Sequence, residues 1–134
     1  AIAESGQRFE CEFLGVTAGV KPAIAWLGRT KTPPRTARGI LADTAFRTSL
    51  GDVWTAGDCA EIEIPGSPPL LEQIWYSAKR QGELAARSML GDAVDYRPPV
   101  FFNSSKFFDI EFTTVGSVND APAASAQFYW RAPG

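Results

Sequence analysis

Three proline-rich knots cut this chain of 134 residues into short stretches, and they limit what it can fold into more than any other feature. They stand at residues 31–35 (Lys-Thr-Pro-Pro-Arg), 64–69 (Ile-Pro-Gly-Ser-Pro-Pro) and 96–99 (Tyr-Arg-Pro-Pro). Proline fixes φ and removes an N–H donor, so neither a helix nor a central strand runs through such a knot. Between the second and third lies the clearest helical spacing, over residues 70–90. Leu71, Ile74, Trp75, Ala78, Leu84, Ala85, Ser88 and Met89 fall largely on one face, with Lys79, Arg80, Glu83 and Arg87 left for the wet side. Pro68 and Pro69 precede this stretch and Gly91 follows it, as start and stop signals do. Gly82, in its middle, costs about 1 kcal/mol relative to Ala, and a close backbone approach would account for it.

The remaining stretches predict short elements. Residues 7–16 alternate Phe9, Cys11 and Phe13 with Arg8, Glu10 and Glu12, which predicts a strand with one wet face and Cys11 in the core. Residues 23–28 carry Ile24, Trp26 and Leu27, enough for a short helix stopped by Gly28. Residues 39–43 read as a short apolar strand, 47–52 as a polar turn, and 53–56 as a second buried strand running into Gly57-Asp58. Further on, 107–115 and 127–131 read as two strands of an antiparallel hairpin across the Ala-rich connection 118–126.

Composition excludes whole classes of chemistry. The chain has no histidine, so a Ser-His-Asp or Cys-His nucleophile, a His-based zinc site and imidazole base catalysis are out. Two cysteines, Cys11 and Cys59, are too few for an all-cysteine zinc site and form no CxxC; no metal site is expected. A formal charge of −2 offers no general basic field for nucleic acid. No apolar run approaches about 18 residues, so no membrane span is expected. With no leader pattern and two cysteines read as reduced, the expectation is a cytoplasmic protein. Arg29, Lys31, Arg35 and Arg38 form a local basic run, read as a solvated loop.

The chemistry concentrates at residues 48–61. A short apolar strand ends in Ala56-Gly57, whose small side chains let a ligand reach the backbone. Asp58 follows, placed by this reading at the C-terminal end of a parallel-type strand, where open α/β sheets bind ligands. A lone Gly-Asp is ordinarily a turn. This one stands in a longer pattern: Thr48, six residues, then Thr55-Ala56-Gly57-Asp58.

That stretch resembles the second flavin-binding motif of the two-dinucleotide-domain flavoprotein oxidoreductases, the pyridine nucleotide-disulfide oxidoreductases with their ferredoxin-reductase and NADH-oxidase relatives. Two further segments are similar to the same family. One is Thr17-Ala18-Gly19-Val20-Lys21-Pro22, where Ala23 stands in place of the frequent Asn. The other is 75–91, with Trp75, Ala78, Gln81-Gly82, Ala85-Ala86 and Gly91. The resemblance covers roughly residues 7–115. It implies an α/β fold (α+β for the isolated stretch): part of a Rossmann-like FAD-binding domain with one long helix, followed by the start of a small α/β C-terminal domain. It divides the chain into 1–22, the last strand of a nicotinamide domain; 23–96, the C-terminal part of the FAD domain; and 97–134, the start of an interface domain.

The resemblance also implies site residues. Asp58 accepts a hydrogen bond from the flavin ribitol, Gly57 allows close approach, Thr48 is a structural member of the motif, and Ile74 and Trp75 start a helix aimed at the pyrimidine edge of the ring. Both GxGxxG fingerprints and any redox Cys pair are missing, so Cys59 reads as a small buried residue and no residue is assigned as catalytic. The chain therefore reads as a C-terminal portion of a flavin-dependent NAD(P)H oxidoreductase, inactive by itself. FAD and NAD(P)H belong to the parent, and FAD is expected to be absent from the chain alone. The other reading is a non-catalytic dimerisation or binding module derived from that fold. Open sheet edges predict a homo-oligomer.

Overall fold

A computed structural model describes residues 1–116; the strand expected over 127–131 lies outside the described residues. The elements follow in the order of a 3-10 turn at Ala25–Arg29, strand β1 (Ile40–Ala42), a second 3-10 turn at Gly57–Cys59, strand β2 (Ala60–Ile62), helix α1 (Trp75–Met89), and strands β3 (Phe102–Phe107) and β4 (Ile110–Val115). β1 and β2 pair in parallel, Ile40 opposite Ala60 and Ala42 opposite Ile62. Parallel neighbours need a crossover of a dozen or more residues. Here residues 43–59 supply it without an α-helix, through a narrow hairpin-like loop bridged at Arg47 and Trp54 and then the Gly57–Cys59 turn.

The core sits where α1 covers this pair. Ala42, Phe46, Ala60, Ile62, Ala85 and Tyr96 are buried together, with Trp54, Leu70 and Leu84 packed around them. Phe46 and Tyr96 meet with ring centroids 5.2 Å apart. The Tyr96 N–H donates to the Thr44 carbonyl at 2.8 Å, so the chain leaving α1 returns to the end of β1. The Trp54 indole N–H donates to Ser88 Oγ at 3.1 Å and ties the crossover loop to the last turns of the helix.

Several expectations change. Residues 7–16 form no strand: Ile2 and Arg8 make one isolated bridge, and residues 1–21 are all exposed, Cys11 included. A strand exists only through a partner, and among the described residues only residues 1–3 pair with this stretch, at its first residues. α1 begins at Trp75 rather than near residue 70, because Leu70 exchanges both backbone hydrogen bonds with Ile62 and is held extended along β2. The Cβ that Gly82 lacks would meet nothing within 4 Å, so no close approach explains it. The first 3-10 turn continues through Gly28 to Arg29. Residues 107–115 are not one strand: the chain reverses at Phe108-Asp109, and β4 pairs antiparallel with β3 from Phe107–Ile110 to Phe102–Val115. The basic run is not wholly free in solvent either, since Arg35 pairs with Glu63 and Arg38 with Glu61, each at 2.9 Å.

Candidate functional site

Ala56 enters the Gly57–Cys59 turn extended, and Gly57 then takes φ +77°, a left-handed conformation that favours glycine. A Cβ there would stand 3.6 Å from the Ala78 Cβ, an ordinary contact, so it is the backbone conformation rather than space that calls for glycine. The Ala60 N–H closes the turn on the Gly57 carbonyl. Thr48 stiffens the preceding loop, its hydroxyl accepting from the Leu50 N–H at 3.2 Å. Asp58 stands exposed at the head of the turn and is in no ion pair among the described residues. One placement differs from expectation. Residues 53–56 form no parallel strand; the parallel strand is β2, and Asp58 precedes it. The hydrogen bonds that would make 53–56 a sheet strand go back into its own loop, with the Thr55 N–H on the Phe46 carbonyl.

The turn rests on α1. The buried Gly57 N–H donates to Gln81 Oε1 at 2.9 Å. Ala78 and Gln81 are three residues apart, so they share one helix face. Ile74 is the N-cap of the same helix, extended at φ −133° and ψ 136°, and no side chain caps it. An uncapped N-terminus leaves backbone N–H donors and the positive end of the helix dipole available to an electron-rich group. Trp75 follows, 68% exposed rather than packed in the core. Lys79 Nζ lies 5.6 Å from the Trp75 ring centroid, and the Tyr76 ring meets Trp75 edge-on. Tyr76 also contacts Phe102 of β3, with centroids 4.7 Å apart. Beside this aromatic run lies a cleft of about 300 Å³, lined by Glu72, Trp75, Tyr76, Lys79, Phe101 and Phe102 among others. The structure thus brings Gly57 and Asp58 to one face of α1 and puts Ile74 and Trp75 at its open end.

Sequence reasoning missed the roles of two polar groups, Gln81 being named only within the helix pattern. Gln81 is fully buried; the signal was a polar residue in register with Ala78, Ala85 and Ser88 on the inward stripe. Glu61 is buried as well, its carboxylate taking the Gly39 N–H and Arg38 Nε at 2.9 Å each. Burial pushes the Glu61 pKa up, but the Gly39 and Arg38 hydrogen bonds and the Arg38 charge outweigh it and hold the group below its ordinary value. Cys59 is half-buried and free, its Sγ 3.6 Å from the Ala56 carbonyl. Among the described residues no group of His, Cys, Asp and Glu could hold a metal, and no helix is long and apolar enough to cross a membrane.

Residues 1–86 match the family model described as pyridine nucleotide-disulphide oxidoreductase. The chain is similar to the epsilon subunit of NADH-dependent phenylglyoxylate dehydrogenase of Aromatoleum evansii: 31% identical over 116 residues, 85% of this chain and 27% of that protein. It is also similar to a ferredoxin–NAD(P)(+) reductase of a Sphingomonas species: 33% identical over 104 residues, 75% of this chain and 24% of that protein. The crystal structure of Fdr9 shares the fold with a TM-score of 0.71 at 24% identity, over 85% of this chain and 30% of that one. The chain belongs to the pyridine nucleotide-disulphide oxidoreductase family, whose members are flavin-dependent oxidoreductases of pyridine nucleotides. It spans about a quarter of the length of the curated relatives it matches.

Proposed function

We propose that this chain supplies one side of the flavin site in a flavin-dependent NAD(P)H oxidoreductase. Asp58 accepts a hydrogen bond from a ribitol hydroxyl, and Ile74 and Trp75, at the start of α1, face the ring system. The observation that carries this reading is the Gly57–Cys59 turn fixed on α1, which presents an exposed carboxylate, in no ion pair among the described residues, beside a helix whose N-terminus has no side-chain cap. A carboxylate suits a sugar-alcohol hydroxyl because it only accepts. Uncapped N–H groups suit a ring that gains negative charge.

When bound, the flavin supplies the hydride-accepting chemistry. The chain's own residues bind and orient: Asp58 holds the polyol, Gly57 lets the backbone turn beneath it, and the start of α1 contributes its dipole. No residue here is given a proton-transfer role. Because the chain spans about a quarter of its relatives' length, we take it to hold no FAD and to be inactive alone; stoichiometric flavin absorbance in the purified chain would overturn that part. For the site itself, FAD is titrated into the deflavinated full-length protein. A charge-assisted hydrogen bond of about 1.5–3 kcal/mol corresponds to a loss of roughly 10- to 100-fold in Asp58→Ala, with less harm in Asp58→Asn. Unchanged affinity in folded Asp58→Ala would reduce Gly57-Asp58 to a turn.

A further inference from the structure

We propose that Gln81 is a positioning residue for Asp58, an inference that rests on the reading of Asp58 as the ribitol acceptor. Gln81 is fully buried on α1, and its Oε1 takes the N–H of Gly57, the residue directly before Asp58. The Gly57 N–H is itself buried and has no solvent to turn to, so this amide fixes the direction in which the turn presents Asp58. The other end of the amide is buried too. Gln81 Nε2 and the Tyr96 hydroxyl are both buried and make no hydrogen bond among the described residues. Burial pushes the Tyr96 pKa up and Gln81 opposes the rise. Tyr96 is in turn anchored by its backbone to Thr44 and by its ring to Phe46. Gln81 therefore ties the Asp58 turn to α1, and Ala78, one turn earlier, gives the turn its packing surface. The same helix carries Ile74 and Trp75, so one rigid rod sets the spacing of the acceptor carboxylate from the uncapped N-terminus.

A buried amide in a purely structural role would affect stability alone; a positioning residue also affects FAD affinity, and only through Asp58. The test titrates FAD into the deflavinated full-length protein and follows the unfolding midpoint of each variant. Gln81→Met, similar in length but with no strong acceptor, is expected to weaken FAD by about 5- to 10-fold, the worth of one neutral hydrogen bond. Gln81→Glu keeps an acceptor oxygen at the same reach and is expected to restore affinity to within about 2-fold of the parent. In the Asp58→Ala background, Gln81→Met is expected to add less than about 2-fold, because coupled residues are not additive. If Gln81→Met does not fold, Gln81→Asn replaces it, with its amide one methylene short of Gly57 and the same expected loss. A lower unfolding midpoint with parental FAD affinity would overturn the proposal, as would a Gln81→Met loss that adds in full to that of Asp58→Ala, or a Gln81→Glu variant no better than Gln81→Met. Loss in Asp58→Ala without loss in Gln81→Met would sink Gln81's role and leave the ribitol reading standing. Loss in Gln81→Met without loss in Asp58→Ala would sink both.

Discussion

The parallel pair β1–β2 has three residues in each strand, and all but Leu41 are buried. The antiparallel pair β3–β4 has six residues in each strand, and only Asn103 and Thr114, which face each other, are even half-buried. The longer sheet has the more extensive backbone ladder and the shorter one has the core. β3–β4 is held by its own cross-strand pairs, Ser104 to Thr113 at 3.0 Å and Lys106 to Glu111 at 3.0 Å, each worth a fraction of a kcal/mol. β1–β2 is held by what packs on it: α1, Phe46 and Tyr96. Backbone pairing and burial are separate sources of order here, and the Asp58 turn sits on the buried one, leading directly into β2.

Matched substitutions in the two sheets test that contrast. Ile62 is fully buried in β2 and Ile110 is 66% exposed in β4. Ile62→Ala should lower stability by about 2–5 kcal/mol, and Ile110→Ala by under about 1 kcal/mol, read as urea midpoints. Equal losses would break the comparison. Glycines give the next largest effect. A Cβ on Gly39, beside β1, would stand 2.8 Å from the Cys59 carbonyl oxygen and 3.1 Å from the Glu61 Cβ, so Gly39→Ala should force the parallel pair apart at about 1–3 kcal/mol. Gly116, after β4, has open space around it, and alanine there meets only the strain of φ +75°, about 1 kcal/mol.

Two glutamates refine the contrast through pH. Glu61 is held below its ordinary pKa near 4.5, although burial acts the other way. A carboxylate with a lowered folded pKa contributes stability above its unfolded value, and that stability is lost as pH falls through the folded value. Glu61→Gln should cost about 1.5 kcal/mol at neutral pH and flatten the acid limb of the stability profile below about pH 4.5, measured as midpoint against pH. Glu111→Gln, at the exposed Lys106 pair, should stay within about 0.5 kcal/mol. One further effect has the opposite sign. Phe108 turns the hairpin at φ +53°, so Phe108→Gly should stabilise β3–β4 by about 0.5–1 kcal/mol, visible as slower amide exchange at the hairpin end. No change in exchange would mean that the turn is not strained.

The sequence by itself determined where the chain breaks, which stretch is the long helix, and which turn carries the carboxylate. The proline knots, the spacing of Ala78, Ala85 and Ser88, and the Gly57-Asp58 dipeptide are local features, and local sterics act on them wherever the chain goes. Lys79, Arg80, Glu83 and Arg87 are exposed on α1, as that spacing requires. The tertiary structure decided the rest. Residues 7–16 alternate as a strand does, yet beyond the bridge of Arg8 to Ile2 they join no described strand, because a strand is a relation between two segments and alternation describes only one. Phe107 to Val115 alternates equally well, and what split it was the cross-strand fit of Phe102 to Phe107 against Ile110 to Val115. Gln81 stands in the sequence only as part of a family pattern, with no partner named, until Gly57, 24 positions earlier, brings it a buried N–H, and Glu61 has no partner until Gly39 and Arg38 supply theirs. Bonds across such separations leave no periodic trace, because only the folded backbone sets which groups meet away from water.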